Sequence, residues 1–462
     1  MSLLIKNGQV VSPERISIVD IFIVGETIAA IGSNLMKHAD RVIDATGKYV
    51  IPGGIDVHTH LDAPVRGTVS SDDFETGTRA AAFGGTTTII DFATQTRGAS
   101  LPDTYELWRR KARTATIDYG LHMIVMDIGG QRIAGIEEVV REGVTSFKLF
   151  TAYPNSLMVD DGTILQVMLR AGKLGALVAV HAENGNVIDY LVRKALAEGR
   201  TTPIEHARTR PPLAEAEAVH RVIALARMAD VPVYFVHVST SEALEEISRA
   251  QGKGFRVFGE TCPHYLLLTE KELERPDFEG AKFVLTPPLR KSSDQEALWK
   301  ALQTNQLQLV STDHCPFMFG TQKRAGLGNF TKIPNGGPGI ENRLQLLYHF
   351  GVNGGKFSVN RWVELVSTNP AKLFGLHPKK GVLQVGSDAD VVIWNPAQEF
   401  TISAASHHMR VDYSMYEGTT VKGNAETVIA RGEVIVHQNT WSGKPGRGAY
   451  LKRACFAGAW PT

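Results

Sequence analysis

Residues 55–62 read IDVHTHLD, an apolar run that ends in two histidines one residue apart. In a β-strand, residues i and i+2 point to the same face, so His58 and His60 would present their imidazole rings side by side. A strand can offer two nitrogen ligands to one metal ion in this way. The alternative is a polar loop with two incidental histidines, and this stretch alone fits both.

Seven further apolar runs follow the first, and amphipathic stretches separate several of them. Such alternation is typical of a parallel sheet covered by helices on both faces, and eight units match a (β/α)8 TIM-like barrel. An open, doubly wound sheet is the alternative. The eight runs are VIPGGIDVHTH (50–60), TTTIIDFA (86–93), YGLHMIVM (119–126), SFKLF (146–150), GALVAVHAE (175–183), VPVYFVHVS (231–239), FRVFGETCPHYL (255–266) and LQLVSTDHCPF (307–317).

The stretch DDFETGTRAAAFGG between the first two runs has the form of a helix. Asp72 and Glu75 have the spacing of a capping box, and Gly84 and Gly85 are typical of a helix end. We therefore expect this helix to begin at Asp72.

The two ends of the chain share a different pattern. Residues 1–50 and 376–440 consist of short strand-like segments separated by glycine, asparagine and aspartate turns. We predict that they fold together into one small β-sandwich domain, with the barrel, residues 51–375, inserted between them. The C-terminal tail, residues 441–462, is rich in glycine, basic and aromatic residues, which fits either a segment at an oligomer interface or a disordered terminus.

Composition favours a small-molecule partner. Lysine and arginine total 49 against 48 acidic residues, a net charge of +1 that provides no electrostatic footprint for nucleic acid or a membrane surface. The three cysteines lack the spacing of a disulfide framework or a thiolate zinc site. We find no signal peptide or membrane-spanning segment and expect a cytoplasmic location.

Six polar side chains stand where the predicted barrel would place an active site, at the carboxyl ends of strands. Histidine and aspartate suit Zn2+, with Mn2+ as the alternative. One such histidine is usually a packed core or loop residue, but six polar residues at equivalent positions indicate a shared site. They are His58, His60, Lys148, His181, His237 and Asp313.

Lys148 needs a separate explanation, because metal ions would repel an ammonium group. A buried lysine with a lowered pKa can react with carbon dioxide to form a carbamate, an anionic ligand with two oxygen atoms. Such a carbamate could bridge two divalent ions. The alternative is a lysine whose amino group extends from the strand end into solvent.

Nine motifs spread over nearly the whole chain resemble the dihydropyrimidinase and D-hydantoinase family of cyclic amidohydrolases. The resemblance implies a hydrolase with a binuclear metal centre. Such enzymes open the ring amide of 5,6-dihydropyrimidines, in pyrimidine catabolism, or of 5-substituted hydantoins, and give N-carbamoyl amino acids. It also implies a homo-oligomer, a tetramer or a dimer. The motifs are DVHTH, SFKLFTAY, VHAENGN, VHVST, ETCPHYLLLT, STDHCPF, FTKIPNGGPGIENR, STNPAKLFGL and GVLQVGSDADVVIWNP.

The resemblance divides the six polar residues between two metal ions. His58, His60 and Asp313 would hold the first ion, His181 and His237 the second, and a carbamylated Lys148 would bridge them.

Catalytic and substrate-binding roles follow from the same resemblance. Asp313 would carry a proton from water to the leaving ring nitrogen, and Tyr153 would hydrogen-bond the developing oxyanion. Thr286 and Asn335 would bind the ring amide through backbone groups. His264 and His314 could orient metal ligands, although packing roles fit them better.

Related enzyme classes remain alternatives. Dihydroorotases carry an arginine two residues after the second histidine, where this chain has Asp62, but an allantoinase or another cyclic amidohydrolase stays open. A non-catalytic dihydropyrimidinase-like scaffold protein would have lost metal ligands, whereas this sequence retains the full set. Small side chains at Ala63 and Val65 predict room for a bulky ring substituent, with Phe150 and Leu157 as further walls.

Overall fold

The computed structural model describes residues 2–35, 37–65, 67–130 and 132–456. The strands in chain order are β1 (Ser2–Val11), β2 (Ile16–Val24), β3 (Thr27–Gly32), β4 (Arg41–Asp44), β5 (Tyr49–Pro52), β6 (Gly54–Thr59), β7 (Pro64–Val65), β8 (Thr68–Val69), β9 (Thr86–Thr94), β10 (Asp118–Ile124), β11 (Ser146–Phe150), β12 (Leu177–His181), β13 (Val233–Phe235), β14 (Val257–Thr261), β15 (Leu309–Val310), β16 (Val391–Thr401), β17 (Thr420–Ala430), β18 (Glu433–His437) and β19 (Thr440–Trp441). The α-helices are α1 (Phe74–Phe83), α2 (Leu101–Lys111), α3 (Gly135–Arg141), α4 (Asp161–Lys173), α5 (Gly185–Ala197), α6 (Glu205–Arg208), α7 (Pro212–Ala229), α8 (Ser241–Gln251), α9 (Pro263–Leu267), α10 (Ser292–Gln303), α11 (Arg343–Leu347), α12 (Val359–Val363) and α13 (Asn369–Leu373).

Eight parallel strands form the barrel sheet, in the order β15-β14-β13-β12-β11-β10-β9-β6. Each of them corresponds to one predicted apolar run. A parallel bridge between Thr59 and His314 joins the two ends of the sheet, and the His60 amide donates to the His314 carbonyl at 2.9 Å. The predicted (β/α)8 barrel is therefore confirmed, and the open sheet is excluded.

Helix α1 begins one residue later than predicted. Asp73 is its N-cap and accepts a hydrogen bond from the Thr76 amide at 2.9 Å, so the capping-box prediction for Asp72 and Glu75 was wrong. Asp72 is fully buried, and its carboxylate instead binds the His314 ring at 3.0 Å and the Arg410 amide at 2.9 Å. Asp72 therefore makes tertiary hydrogen bonds, although its local spacing predicted a helix cap.

A second, mixed sheet contains strands from both ends of the chain. Its order is β19-β18-β17-β16-β5-β1-β2-β3, with β4 paired to β1. Its strands fall within residues 2–52 and 391–441, which fits the expected pairing of the two chain ends. The domain boundaries at 50, 375 and 440 stay predictions.

Residues 446–456 of the C-terminal tail contact the barrel near the beginning of its strands, whereas Trp441 belongs to β19 of the mixed sheet. The Tyr119 amide donates to the Ala449 carbonyl at 3.0 Å, and the Leu451 amide donates to the Tyr119 carbonyl at 2.8 Å. The buried Arg453 guanidinium donates to the Leu121 carbonyl at 2.6 Å. Residues 457–462 lie outside the described residues, and a place for the tail at an oligomer interface stays a prediction.

In the described ranges, no helix combines the length and the apolar character needed to cross a membrane.

Candidate active site

Three predicted ligands converge at the carboxyl end of the barrel. The Nε2 atoms of His58 and His60 lie 3.3 Å apart. Asp313 Oδ1 lies 3.1 Å from the first and 3.3 Å from the second. One donor atom from each residue falls within a 4.8 Å cluster, and two imidazoles with a carboxylate are a donor set that divalent cations such as Zn2+ accept.

The other predicted ligands lie beside this cluster. Nδ1 of His181 lies 2.9 Å from Nε2 of His237, and the ring centroids of His237 and His58 are 5.4 Å apart. The Lys148 Nζ atom lies 2.9 Å from Nε2 of His58 and 4.2 Å from the centroid of the Phe92 ring. The structure therefore brings all six predicted polar residues into one site, in which His60 and Asp313 are half-buried and the other four are buried.

The surroundings favour metal-binding protonation states at four of the predicted ligands, His60, His237, Lys148 and Asp313. Burial lowers the pKa of His60 to about 4 and that of His237 well below its ordinary value, so both rings are neutral and carry a lone pair. Burial also lowers the pKa of Lys148 to about 8, which leaves part of its amine uncharged near neutral pH. Burial alone would raise the pKa of Asp313, but the charges and hydrogen bonds of the neighbouring histidines hold it well below its usual range.

Two buried glutamates contact predicted ligand histidines, and the sequence did not reveal either contact. Glu260 accepts a hydrogen bond from Nδ1 of His58, and Glu183 accepts one from Nε2 of His181 at 2.7 Å. A carboxylate on the far nitrogen fixes the tautomer and the ring orientation of a ligand histidine. Glu260 was detectable as a carboxylate in the seventh apolar run, and Glu183 as one placed two residues after a ligand.

Three site residues have left-handed backbone conformations, which are costly for side chains of this size. Tyr153 has φ 66°, Asp313 has φ 49° and His237 has φ 40°. Such strain persists only where the surrounding structure enforces it, and it clusters at functional sites.

A cavity of about 160 Å³ opens in front of the ligands. Tyr153, Thr286 and Asn335, the predicted substrate-binding residues, line it together with Lys148 and Asp313. The Asn335 side-chain amide donates to the Thr286 hydroxyl at 2.8 Å and lies 3.5 Å from the Tyr153 hydroxyl. The predicted apolar walls also face this cavity; they are Ala63, Val65, Phe150 and Leu157.

Among the described residues, the side chains of three other conspicuous residues form no hydrogen bond with a predicted ligand. His314 binds Asp72 through Nε2 and accepts from the Gly339 amide through Nδ1 at 3.1 Å. His264 is buried, and its Nε2 atom has no hydrogen-bond partner among the described residues. Burial raises the pKa of Cys315, so this cavity-lining thiol stays protonated and is a poor nucleophile.

Comparison with known proteins gives a consistent result over nearly the whole chain. The Amidohydrolase family matches residues 49–435. A D-hydantoinase of Geobacillus stearothermophilus is 52% identical over 458 residues, which cover 99% of this chain and 97% of that protein. A D-hydantoinase of Streptomyces coelicolor is 54% identical over 417 residues, which cover 90% of this chain and 89% of that protein. The crystal structure of a dihydropyrimidinase from Brevibacillus agri NCHU1002 matches with a TM-score of 0.98 at 52% identity and covers 99% of this chain and 100% of that one.

Proposed function

Because the chain belongs to the amidohydrolase family and is a hydrolase of cyclic amides, we propose that it opens 5,6-dihydropyrimidines and 5-substituted hydantoins to N-carbamoyl amino acids. One observation carries this proposal. The six polar residues meet beside a cavity whose other lining residues include Tyr153, Thr286 and Asn335. That cavity is large enough for a small ring and is lined by both polar and apolar groups.

We assign two divalent cations to the site, with Zn2+ favoured and Mn2+ as the alternative. His58, His60 and Asp313 would hold one cation, and His181 and His237 the other. When bound, these cations supply Lewis-acid activation of the ring carbonyl and of water.

Lys148 would connect the two ligand groups as a carbamate. Its uncharged amine adds to the carbon of carbon dioxide, an N–C bond forms, and one proton leaves, so an ammonium-forming side chain becomes an anionic ligand. The lowered pKa of Lys148, about 8 because of burial, supports this step, since only the uncharged amine is nucleophilic.

The protein groups would divide the proton transfers and the recognition of the ring. Asp313 takes a proton from the attacking water and returns it to the ring nitrogen as the C–N bond breaks, and its low pKa keeps it ionised for the first step. Tyr153 hydrogen-bonds the carbonyl oxygen as negative charge develops there. Backbone groups of Thr286 and Asn335 bind the donors and acceptors of the ring amide.

We further propose a cytoplasmic homo-oligomer, a tetramer or a dimer, with a role in pyrimidine catabolism if dihydropyrimidines are the better substrates. The small side chains of Ala63 and Val65 support a second substrate class, hydantoins with a bulky substituent, because both line the cavity.

The test is kcat/KM for dihydrouracil and for 5-phenylhydantoin, measured on metal-replete enzyme prepared with bicarbonate, with the metal content determined in parallel. We expect close to two metal ions per chain and turnover of at least one ring. A preference for dihydrouracil would assign the enzyme to pyrimidine breakdown, and a preference for the aryl ring would assign it to substituted hydantoins. Turnover of neither ring by the metal-loaded protein would contradict the proposal.

A further inference from the structure

Lys323 is a buried cation that neither the metal site nor the proposed chemistry uses. Its exposed fraction is 0%, and no carboxylate of the described residues forms an ion pair with it. Burying an amine without a counter-charge is costly, and this burial lowers the pKa of Lys323 to about 7. A residue retained at that cost needs a structural or functional explanation.

The contacts of the Lys323 amine are two backbone carbonyls from different segments. Nζ donates to the Val284 carbonyl at 2.9 Å and to the Pro334 carbonyl at 3.3 Å. Val284 stands two residues before Thr286, and Pro334 directly precedes Asn335. One amine therefore connects the two segments that carry the proposed recognition groups for the ring amide.

The two segments also contact each other in front of this amine. The Gly336 amide donates to the Val284 carbonyl at 3.1 Å, and the Asn335 side chain donates to the Thr286 hydroxyl at 2.8 Å. Thr286, Asn335 and Gly336 all line the catalytic cavity. The separation of the segments therefore determines the shape of this side of the cavity.

The segment that carries Lys323 packs closely against Ile333, the residue before Pro334. The Lys323 amide donates to the Met318 carbonyl at 3.0 Å. Three residues further on, a Cβ atom added at Gly326 would lie only 2.4 Å from Cγ1 of Ile333 and 2.7 Å from its backbone nitrogen. A side chain without donors would remove the Lys323 hydrogen bond from the Pro334 carbonyl and would leave the Val284 carbonyl with the Gly336 amide as its donor.

We propose that Lys323 is a positioning residue that sets the spacing between the Thr286 and Asn335 segments and so the affinity for the ring amide. A lysine fits this position because its single nitrogen carries up to three donors and can reach two carbonyls at once. This role rests on the proposed function, since it assigns ring recognition to those segments.

The test compares Lys323→Met, which keeps the length of the side chain without donors, with Lys323→Gln, whose shorter side chain keeps a hydrogen-bond donor. KM should rise by about tenfold in Lys323→Met, with an intermediate rise in Lys323→Gln, because lost hydrogen bonds displace the recognition segments. Metal content and kcat should change little. The exposed Lys332 provides the matched control, and Lys332→Met should leave KM unchanged.

Several outcomes would overturn this role. Lys323 would be only a packing residue if Lys323→Met kept the wild-type KM. The same conclusion would follow if only kcat fell, in proportion to a loss of folded or metal-loaded protein. If Lys323→Met does not fold, Lys323→Gln is measured at a lower assay temperature, and an unchanged KM there counts equally against the role. A wild type that opens neither ring contradicts the proposed function itself, whereas an unchanged KM beside an active wild type contradicts only the role of Lys323.

Discussion

Glu260 accepts a hydrogen bond from Nδ1 of His58, and this contact directs Nε2 of the same ring toward Lys148 and Asp313. The other oxygen of Glu260 accepts from the Tyr234 hydroxyl at 2.7 Å, so the carboxylate is itself held in place. All of these groups except Asp313 are almost completely buried. The orientation of the first ligand is therefore determined below the metal site, by residues that do not reach the substrate.

Glu260→Gln should weaken metal binding by about 10- to 100-fold, because the neutral amide fixes the ligand tautomer less strongly and makes the ring less basic. Metal retention during titration with a chelator is the appropriate measurement, with the exposed Glu245→Gln as the control. Equal retention by the two variants would show that the contact with His58 does not support the metal site.

Reactivation of metal-free protein by Zn2+ and bicarbonate should become faster as the pH rises toward and through about 8. Burial lowers the pKa of Lys148 to about 8, so its reactive, uncharged form is scarce below that pH and dominant above it. The rate is measured at constant dissolved carbon dioxide, with Lys148→Met as the control that should not regain activity. A pH-independent rate, or full reactivation without carbon dioxide, would rule out the carbamate.

The repeated geometry of the barrel made the six polar residues predictable, because equivalent strand ends meet at one face. The orienting contacts were harder to foresee. Glu260 contacts His58 from another strand of the barrel, 202 positions away in the chain. Lys323 donates to two backbone carbonyls, and such a contact has no sequence signature. Asp72 has the local spacing of a helix cap, but its contacts with His314 and Arg410 depend on residues more than 200 positions away.

Val65→Phe should lower the ratio of kcat/KM for 5-phenylhydantoin to that for dihydrouracil by at least about tenfold, since a side chain at this wall competes with the ring substituent for space. Val65 and Leu157 line the cavity as half-buried residues, whereas the predicted ligands Lys148, His181 and His237 are buried. Turnover of dihydrouracil should therefore persist. An unchanged ratio would place the substituent elsewhere.

Arg97 forms hydrogen bonds with the loop that carries Tyr153 and Leu157. Its guanidinium donates to the Ser156 carbonyl at 2.8 and 3.1 Å, to Met158 at 3.2 Å and to Met126 at 3.1 Å. Arg97→Met should lower kcat/KM by about threefold to tenfold, with a smaller loss in Arg97→Lys, because several hydrogen bonds to the loop disappear. The ratio between aryl and unsubstituted rings should change as well. Loss of activity without a change in that ratio would argue against control of the cavity wall.

Lys380 joins the barrel to the mixed sheet through buried ion pairs. Its amine lies 2.7 Å from carboxylate oxygens of both Asp118, at the start of β10, and Asp390, and 3.0 Å from Asp388. Lys380→Met would leave these carboxylates without their shared cation, and breaking such a buried pair costs about 3–5 kcal/mol. We therefore expect a clear fall in the thermal midpoint and in the urea midpoint of unfolding.

The pH dependence of that loss provides a second check. In Lys380→Met the buried Asp390 should have a pKa above that of the unfolded chain, whereas Asp118 keeps its ion pair with Arg431 at 3.0 Å. The folded state then binds more protons at Asp390, and the variant loses stability as the pH rises. The difference from the wild type should accordingly be largest near neutral pH and should shrink in mild acid. Lys379→Met is the matched control, because Lys379 is exposed and lies 3.9 Å from Asp388, a geometry that contributes little to stability. Equal unfolding midpoints for the two variants would show that the buried ion pairs do not hold the barrel and the sheet together.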